Sequence, residues 1–184
     1  MMIMRPMVRG GVLFTLFAGL LLSCSTAPAS KEGRDELLKD ATARLLEWNR
    51  LDPGVEAFAK KAHGYALFPE VTKGGLVFGG AYGRGVVYEQ GQHIGYADLT
   101  QGSFGAQVGG QTYSELIVFE NKAALDRFRQ NQFDFAASAS AVVFKTGAAA
   151  SARFVDGVAV IVRPLTGGMA EAAIAGQQFS YVPK

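Results

Sequence analysis

Cysteine occurs once, at Cys24, and histidine only twice, at His63 and His93. A zinc site needs several such ligands at short spacing, and neither histidine has one nearby, so no metal is expected. No serine stands in a G-x-S-x-G elbow, so nucleophilic hydrolysis lacks its usual frame. The string G-x-x-x-x-G-K-[ST] is missing, and Gly80-x-x-Gly83-x-Gly85 only approaches a dinucleotide fingerprint. The run that follows it, "VVYEQ", is strand-like where such a fingerprint would open a helix. No nucleotide or other cofactor is therefore expected. Glu115 and Glu120 read as solvated carboxylates with no paired partner, and His63 as a helix-end residue. The chain is not expected to be an enzyme. A pocket bringing together Glu115, His93 and a serine is the arrangement that would reverse that expectation.

Long apolar runs are also lacking. The longest, Gly11–Leu22, follows Arg5 and Arg9 and falls short of the roughly 20 residues that cross a bilayer. It suits the core of a signal peptide. "LLSC" (Leu21–Cys24) resembles a bacterial lipobox, in which the cysteine is lipidated and becomes the new N-terminus. Several acyl chains would then give a firm anchor, and Ser25 in place of an aspartate favours the outer membrane. The reading divides the chain into a signal peptide (1–23), a lipidated tether (24–33) and one domain (34–184). Processing removes Arg5 and Arg9, which leaves as many basic as acidic residues. A nucleic-acid binder would keep a basic excess, so nucleic acid is not an expected partner.

What is abundant is glycine: 13 of the 23 lie between Gly64 and Gly110. Before that region the spacing is helical, with Leu37, Ala41, Leu45 and Trp48 on one stripe. A second helix is expected from Asp52 as N-cap and Pro53 at the first helical position to Gly64 as a stop. After Gly64 the apolar period falls to two. Gly79, Ala81, Gly83, Gly85 and Val87 alternate with Gly80, Tyr82, Arg84, Val86 and Tyr88. One face is thin and the other bulky, as expected of strands pressed against a close neighbour.

"EQGQ" (Glu89–Gln92) reads as a hairpin turn and "HIGYADL" as the next strand. "GSFGAQVGGQTYSELIVFE" (Gly102–Glu120) reads as one further strand, with Gln107, Gln111 and Glu115 on its polar side. Asn121 is expected to cap a short helix whose inner face carries Leu125 and Phe128. A hairpin is expected at Asp156-Gly157, and "FDFAASASAVVF" fits helix or strand equally. The sum is an α+β domain: a glycine-rich, mostly antiparallel twisted sheet, open or barrel-like, with N-terminal helices and one inserted helix.

Three stretches carry a family resemblance: "AHGYALFPEVTKGGLVFGGAYGRGVVY" (Ala62–Tyr88), "GSFGAQVGGQTYSELIVFEN" (Gly102–Asn121) and "GGMAEAAIAGQQFSY" (Gly167–Tyr181). Their order and content resemble the SYLF domain family over roughly residues 35–182. The resemblance implies a non-catalytic lipid-binding domain, with phosphoinositide recognition in eukaryotic members and actin binding in some yeast ones. Bacterial members are often lipoproteins, in agreement with Cys24. It implies membrane phospholipids as partners, and local charge supplies the candidate headgroup contacts: Lys60, Lys61, Lys73 and Arg84, which stand against Glu70 alone in the 60–88 stretch. The location implied is the outer membrane, facing the periplasm or the cell surface. The alternative is a structural module that binds another envelope protein.

Overall fold

The computed structural model describes residues 28, 30–75, 78–104, 110–131, 141–166 and 176–184. The expected signal peptide, Cys24 and most of the tether lie outside them. Two helices lead: α1 (Lys31–Leu51) and α2 (Gly54–Lys61). Four strands follow, β1 (Gly64–Gly75), β2 (Phe78–Glu89), β3 (Gln92–Phe104) and β4 (Gln111–Phe119), then α3 (Lys122–Arg129). Last come β5 (Ala141–Val143), the single-turn α4 (Ala148–Ser151), β6 (Val158–Thr166) and β7 (Gln177–Pro183). They form one seven-stranded sheet in the order β5-β6-β4-β1-β2-β3-β7, antiparallel except for β5 on β6. The α+β expectation is met, with the sheet left open between β5 and β7.

The sheet is strongly curled. β7 and β4 stand four strand positions apart, which in a flat sheet is about 19 Å at ~4.8 Å per step. Yet Gln177 Nε2 of β7 donates to Glu115 Oε2 of β4 at 2.9 Å. Phe179 of β7 also meets Phe68 of β1, with ring centroids 5.8 Å apart. The concave face therefore encloses one core, which includes Phe68, Val71, Leu99, Ile117, Phe119, Val160 and Phe179. Its floor is α3, contributing Leu125 and Phe128. A second core lies on the convex face, under α1, α2 and α4, with Trp48, Val55, Leu67, Val86, Leu116 and Ile161.

The glycines explain how the sheet bends. β1 carries a bulge at Phe68–Pro69, where its register shifts against both neighbours. Proline suits this point because a bulge leaves one N–H unpaired. Opposite the bulge stand Gly83 and Gly85. A Cβ on Gly85 would lie 2.7 Å from Phe68 Cδ1 and 2.9 Å from the Leu67 carbonyl oxygen. One on Gly83 would lie 2.7 Å from Val71 Cγ2. The thin face read from the alternation is the concave one, and glycine there is clearance.

Turns and caps follow the residues. Gln90 and Gly91 both take positive φ (48° and 79°), as do Asp156 and Gly157 (51° and 79°), so both expected tight turns form. Asn121 caps α3, its side chain accepting from the Ala124 N–H at 3.0 Å. Four readings are corrected. The expected strand 102–120 is two strands, with residues 105–109 outside the described set. The inserted helix is joined by α4, a single turn of Ala and Ser too short to show a period. The N-cap of α2 is Pro53. Before the Asp156 turn only Val155 bridges to Val158, without a full strand. "FDFAASAS" (133–140) lies outside the described residues, and the AVV that follows it is β5.

Gly85→Ala is expected to lower unfolding stability by about 1–3 kcal/mol through overpacking against Phe68. Gly102→Ala, where an added Cβ meets nothing within 4 Å, is expected to stay within about 0.5 kcal/mol. Denaturant titration of both variants checks the pair.

Candidate functional site

The structure scatters the four basic candidates. Lys60 and Lys61 sit exposed on the last turn of α2, with Lys60 Nζ 2.6 Å from Glu56 Oε1 one turn back. Lys73 lies near the other end of β1 and is buried on the concave side, paired in register with Ala81 and Gln111. Arg84 is exposed on the convex face, in register between Glu70 and Asp98. Only Lys60 and Lys61 share a surface. β-strand alternation separates Lys73 from Arg84, and the length of β1 separates both from α2.

The end of α2 has its own support. Phe58 stacks on Phe154 with centroids 5.3 Å apart, which brings the segment carrying Arg153 and the 45 % exposed Val155 against this helix. Arg153 Nη1 donates to the carbonyls of Ala150 and Ala152, at the end of α4. Asp52 locks the arrangement. Its Oδ1 accepts from the Gly54 N–H at 3.0 Å, and its Oδ2 from Gly147 and Ala149, at 3.1 and 3.4 Å. Asp52 thus ties the start of α2 to the start of α4.

The N-terminal helix is fastened separately. Glu47 of α1 bridges Arg44 at 2.6 Å and Arg163 of β6 at 2.5 Å. Partial burial pushes the Glu47 carboxyl up, but Arg163 and Arg44 together hold it below the ordinary carboxylate value. Arg44 Nε also donates to the Pro69 carbonyl at 3.1 Å, so α1 grips the bulge directly. Trp48 is fully buried beside Phe144, with centroids 5.0 Å apart.

The concave face holds a polar cluster that sequence reasoning missed. Lys73, Gln101 and Gln177 are all buried and stand on the inner face of β1, β3 and β7 toward the end where β4 begins. Beneath them Gln177 Nε2 reaches Tyr113 Oη at 3.3 Å and Glu115 Oε2 at 2.9 Å. Glu115, read as solvated, is fully buried. Alternation correctly separated it from Leu116 and Val118; what it could not show is that the polar side of β4 faces inward. Burial pushes its carboxyl up to about 8, against a smaller downward pull from the Gln177 hydrogen bond.

No acid–base pair joins Glu115 to His93. His93 lies at the opposite end of the sheet among convex-side rings, edge-on to Tyr96 at 4.8 Å and beside Tyr88. Its Nε2 faces the Gly95 carbonyl at 3.1 Å. His63 bonds Glu89 Oε1 at 2.8 Å just beyond α2, the helix-end position expected of it.

The described residues thus present a glycine-cleared, curled sheet with α1, α2 and α4 on its convex face and α3 beneath its concave one. Residues 100–182 match the Ysc84 family model, described as "Las17-binding protein actin regulator". The matched stretch holds Tyr113, Glu115 and Gln177, and it bears out the SYLF resemblance over two of the three stretches that carry it, Gly102–Asn121 and Gly167–Tyr181. A curated relative, Beta cell expansion factor A of Aeromonas veronii, is 27% identical over 152 residues, covering 82% of this chain. The chain spans 58% of that relative's length.

Asp52→Ala is expected to cost about 1.5–3 kcal/mol, since it strands backbone donors of both α2 and α4. Asp52→Asn, which keeps one acceptor oxygen, is expected to cost less. Thermal unfolding of the two variants separates these outcomes.

Proposed function

We propose that this chain is a non-catalytic, lipid-anchored module of the outer membrane whose domain contacts anionic phospholipid headgroups. The observation that carries the reading is the family match over residues 100–182, joined to a fold organised by clearance and packing. The headgroup surface is the end of α2. Lys60 and Lys61 project there beside the Phe58–Phe154 stack, with Arg153 and the exposed Val155 on the adjoining segment. A cationic rim around an apolar tip suits the boundary between headgroups and acyl chains. Arg84 belongs to a different face and Lys73 to the interior, so neither is assigned to this surface. Cys24 supplies the anchor, and the tether before α1 keeps the domain close to the bilayer.

The family description names a protein-binding role for its members, so a protein partner in the envelope is the competing reading. The edge strands β5 and β7 are the places where such a partner would add to the sheet.

Each basic side chain near an anionic surface contributes about 1 kcal/mol. Lys60→Gln with Lys61→Gln is therefore expected to weaken co-sedimentation with phosphatidylglycerol vesicles about 30-fold in a fragment starting at Ser30. Arg84→Gln is expected to leave binding unchanged. Equal pelleting of the parent fragment with neutral and anionic vesicles overturns the headgroup reading, and recovery of one stoichiometric envelope protein instead supports the competing one. For the anchor, Cys24→Ala is expected to abolish incorporation of labelled palmitate in growing bacteria.

A further inference from the structure

Glu115 and Gln177 meet across the concave face from strands that share no backbone ladder. One bond between them is formed, Gln177 Nε2 to Glu115 Oε2 at 2.9 Å. The other oxygen of each, Glu115 Oε1 and Gln177 Oε1, is buried with no hydrogen-bond partner among the described residues. Both side chains are fully buried. An ionised carboxylate and an amide oxygen are both acceptors only, so neither can satisfy the other. Two orphaned acceptors and an unpaired charge in an apolar interior make a costly arrangement. One proton resolves it: on Oε1 the carboxyl becomes a donor, and the amide oxygen is an acceptor in want of one.

We propose that Glu115 and Gln177 share one proton in a cyclic acid–amide pair, a proton-binding clasp that fastens β7 to β4 and holds the curled sheet shut. The surroundings favour the neutral form from every side. In register beside Glu115 are Phe68 on β1 and Val162 on β6. Tyr113 and Ile117 flank it on β4, and Phe179 follows Gln177 on the inner face of β7, packed against Phe128 of α3. Gln101 adjoins Gln177 on β3. Among the described residues the titratable groups on this face are Tyr113, whose phenol is driven upward by burial and stays protonated, Tyr181, four residues along β7 from Gln177 and likewise raised chiefly by burial, and Lys73. Burial acts most strongly on Glu115, with the Gln177 bond opposing it, and Lys73 stands opposite Gln111, four residues along β4 from Glu115.

The direction of the pH effect follows. Burial raises the folded-state value to about 8, above the ordinary 4.5. Between those values the folded chain holds a proton that the unfolded chain has released. Stability from the clasp is therefore present at low pH and is lost as pH rises through that window. The proposal stands independently of the lipid reading.

The test is denaturant unfolding of the full chain from pH 5 to 9. The folded-to-unfolded ratio is expected to fall with pH, approaching about tenfold per unit within the window. Glu115→Gln keeps the volume and replaces the acid proton with an amide donor, so its stability is expected to lose that slope. An unchanged slope in the variant overturns the clasp. If the variant does not fold, infrared spectroscopy of the wild-type chain with carboxyl-labelled glutamate decides. A protonated carboxyl band at pH 7 that disappears by pH 9 supports the clasp, and a fully ionised signal at pH 6 overturns it.

Discussion

The approach of β2 to the bulge of β1 is the constraint on which the rest of the structure depends. At Gly83 and Gly85 the neighbouring atoms lie so near that even a methyl group would collide with Val71 or Phe68. That proximity, with Pro69 interrupting the ladder, lets seven strands bend enough for β7 to reach β4. Without the bend, Phe179 and Phe68 would not meet, and the inner core would be an exposed apolar sheet face. The helices depend on the same point, because Arg44 of α1 binds the Pro69 carbonyl. Convex and concave cores are thus organised around one kink in the central strand.

The layering assigns the chemistry. Helices α1, α2 and α4 occupy the convex side and carry the exposed charge, including Lys60 and Lys61. The concave side holds a buried core with polar groups toward one end. The proposed headgroup surface and the interior that fixes shape are held apart by the sheet itself. Glu47, gripping Arg44 and Arg163, joins the first helix to β6, while Asp52 joins the second to α4. These are modest interactions singly, but each spans long sequence distances and restricts how the helical layer can slide.

Much of the fold was legible in the residues. Period-two alternation with glycine on one side located β2, and the pairs Gln90-Gly91 and Asp156-Gly157 marked turns because such turns require positive φ. Asn121 announced α3 through its capping side chain. Boundaries inside glycine-rich segments were not legible, because glycine signals strand, bulge and turn alike; hence the merging of β3 with β4. Glu115 was misread for a physical reason. Alternation tells which side chains share a face, but not which face a curled sheet turns inward. The basic residues were grouped by nearness in sequence, and an extended strand carries such neighbours apart.

The strand order also governs how the chain reaches its shape. Asp98 and its β7 neighbour Ser180 are 82 residues apart in the chain, and Asp52 bonds a backbone group 95 residues away. Contacts of such span cost loop-closure entropy before they return any stability, which slows folding. A domain with this architecture spends longer with its phenylalanines uncovered than a helical bundle of equal size. Until the last strand docks, that apolar surface is open to association with other chains.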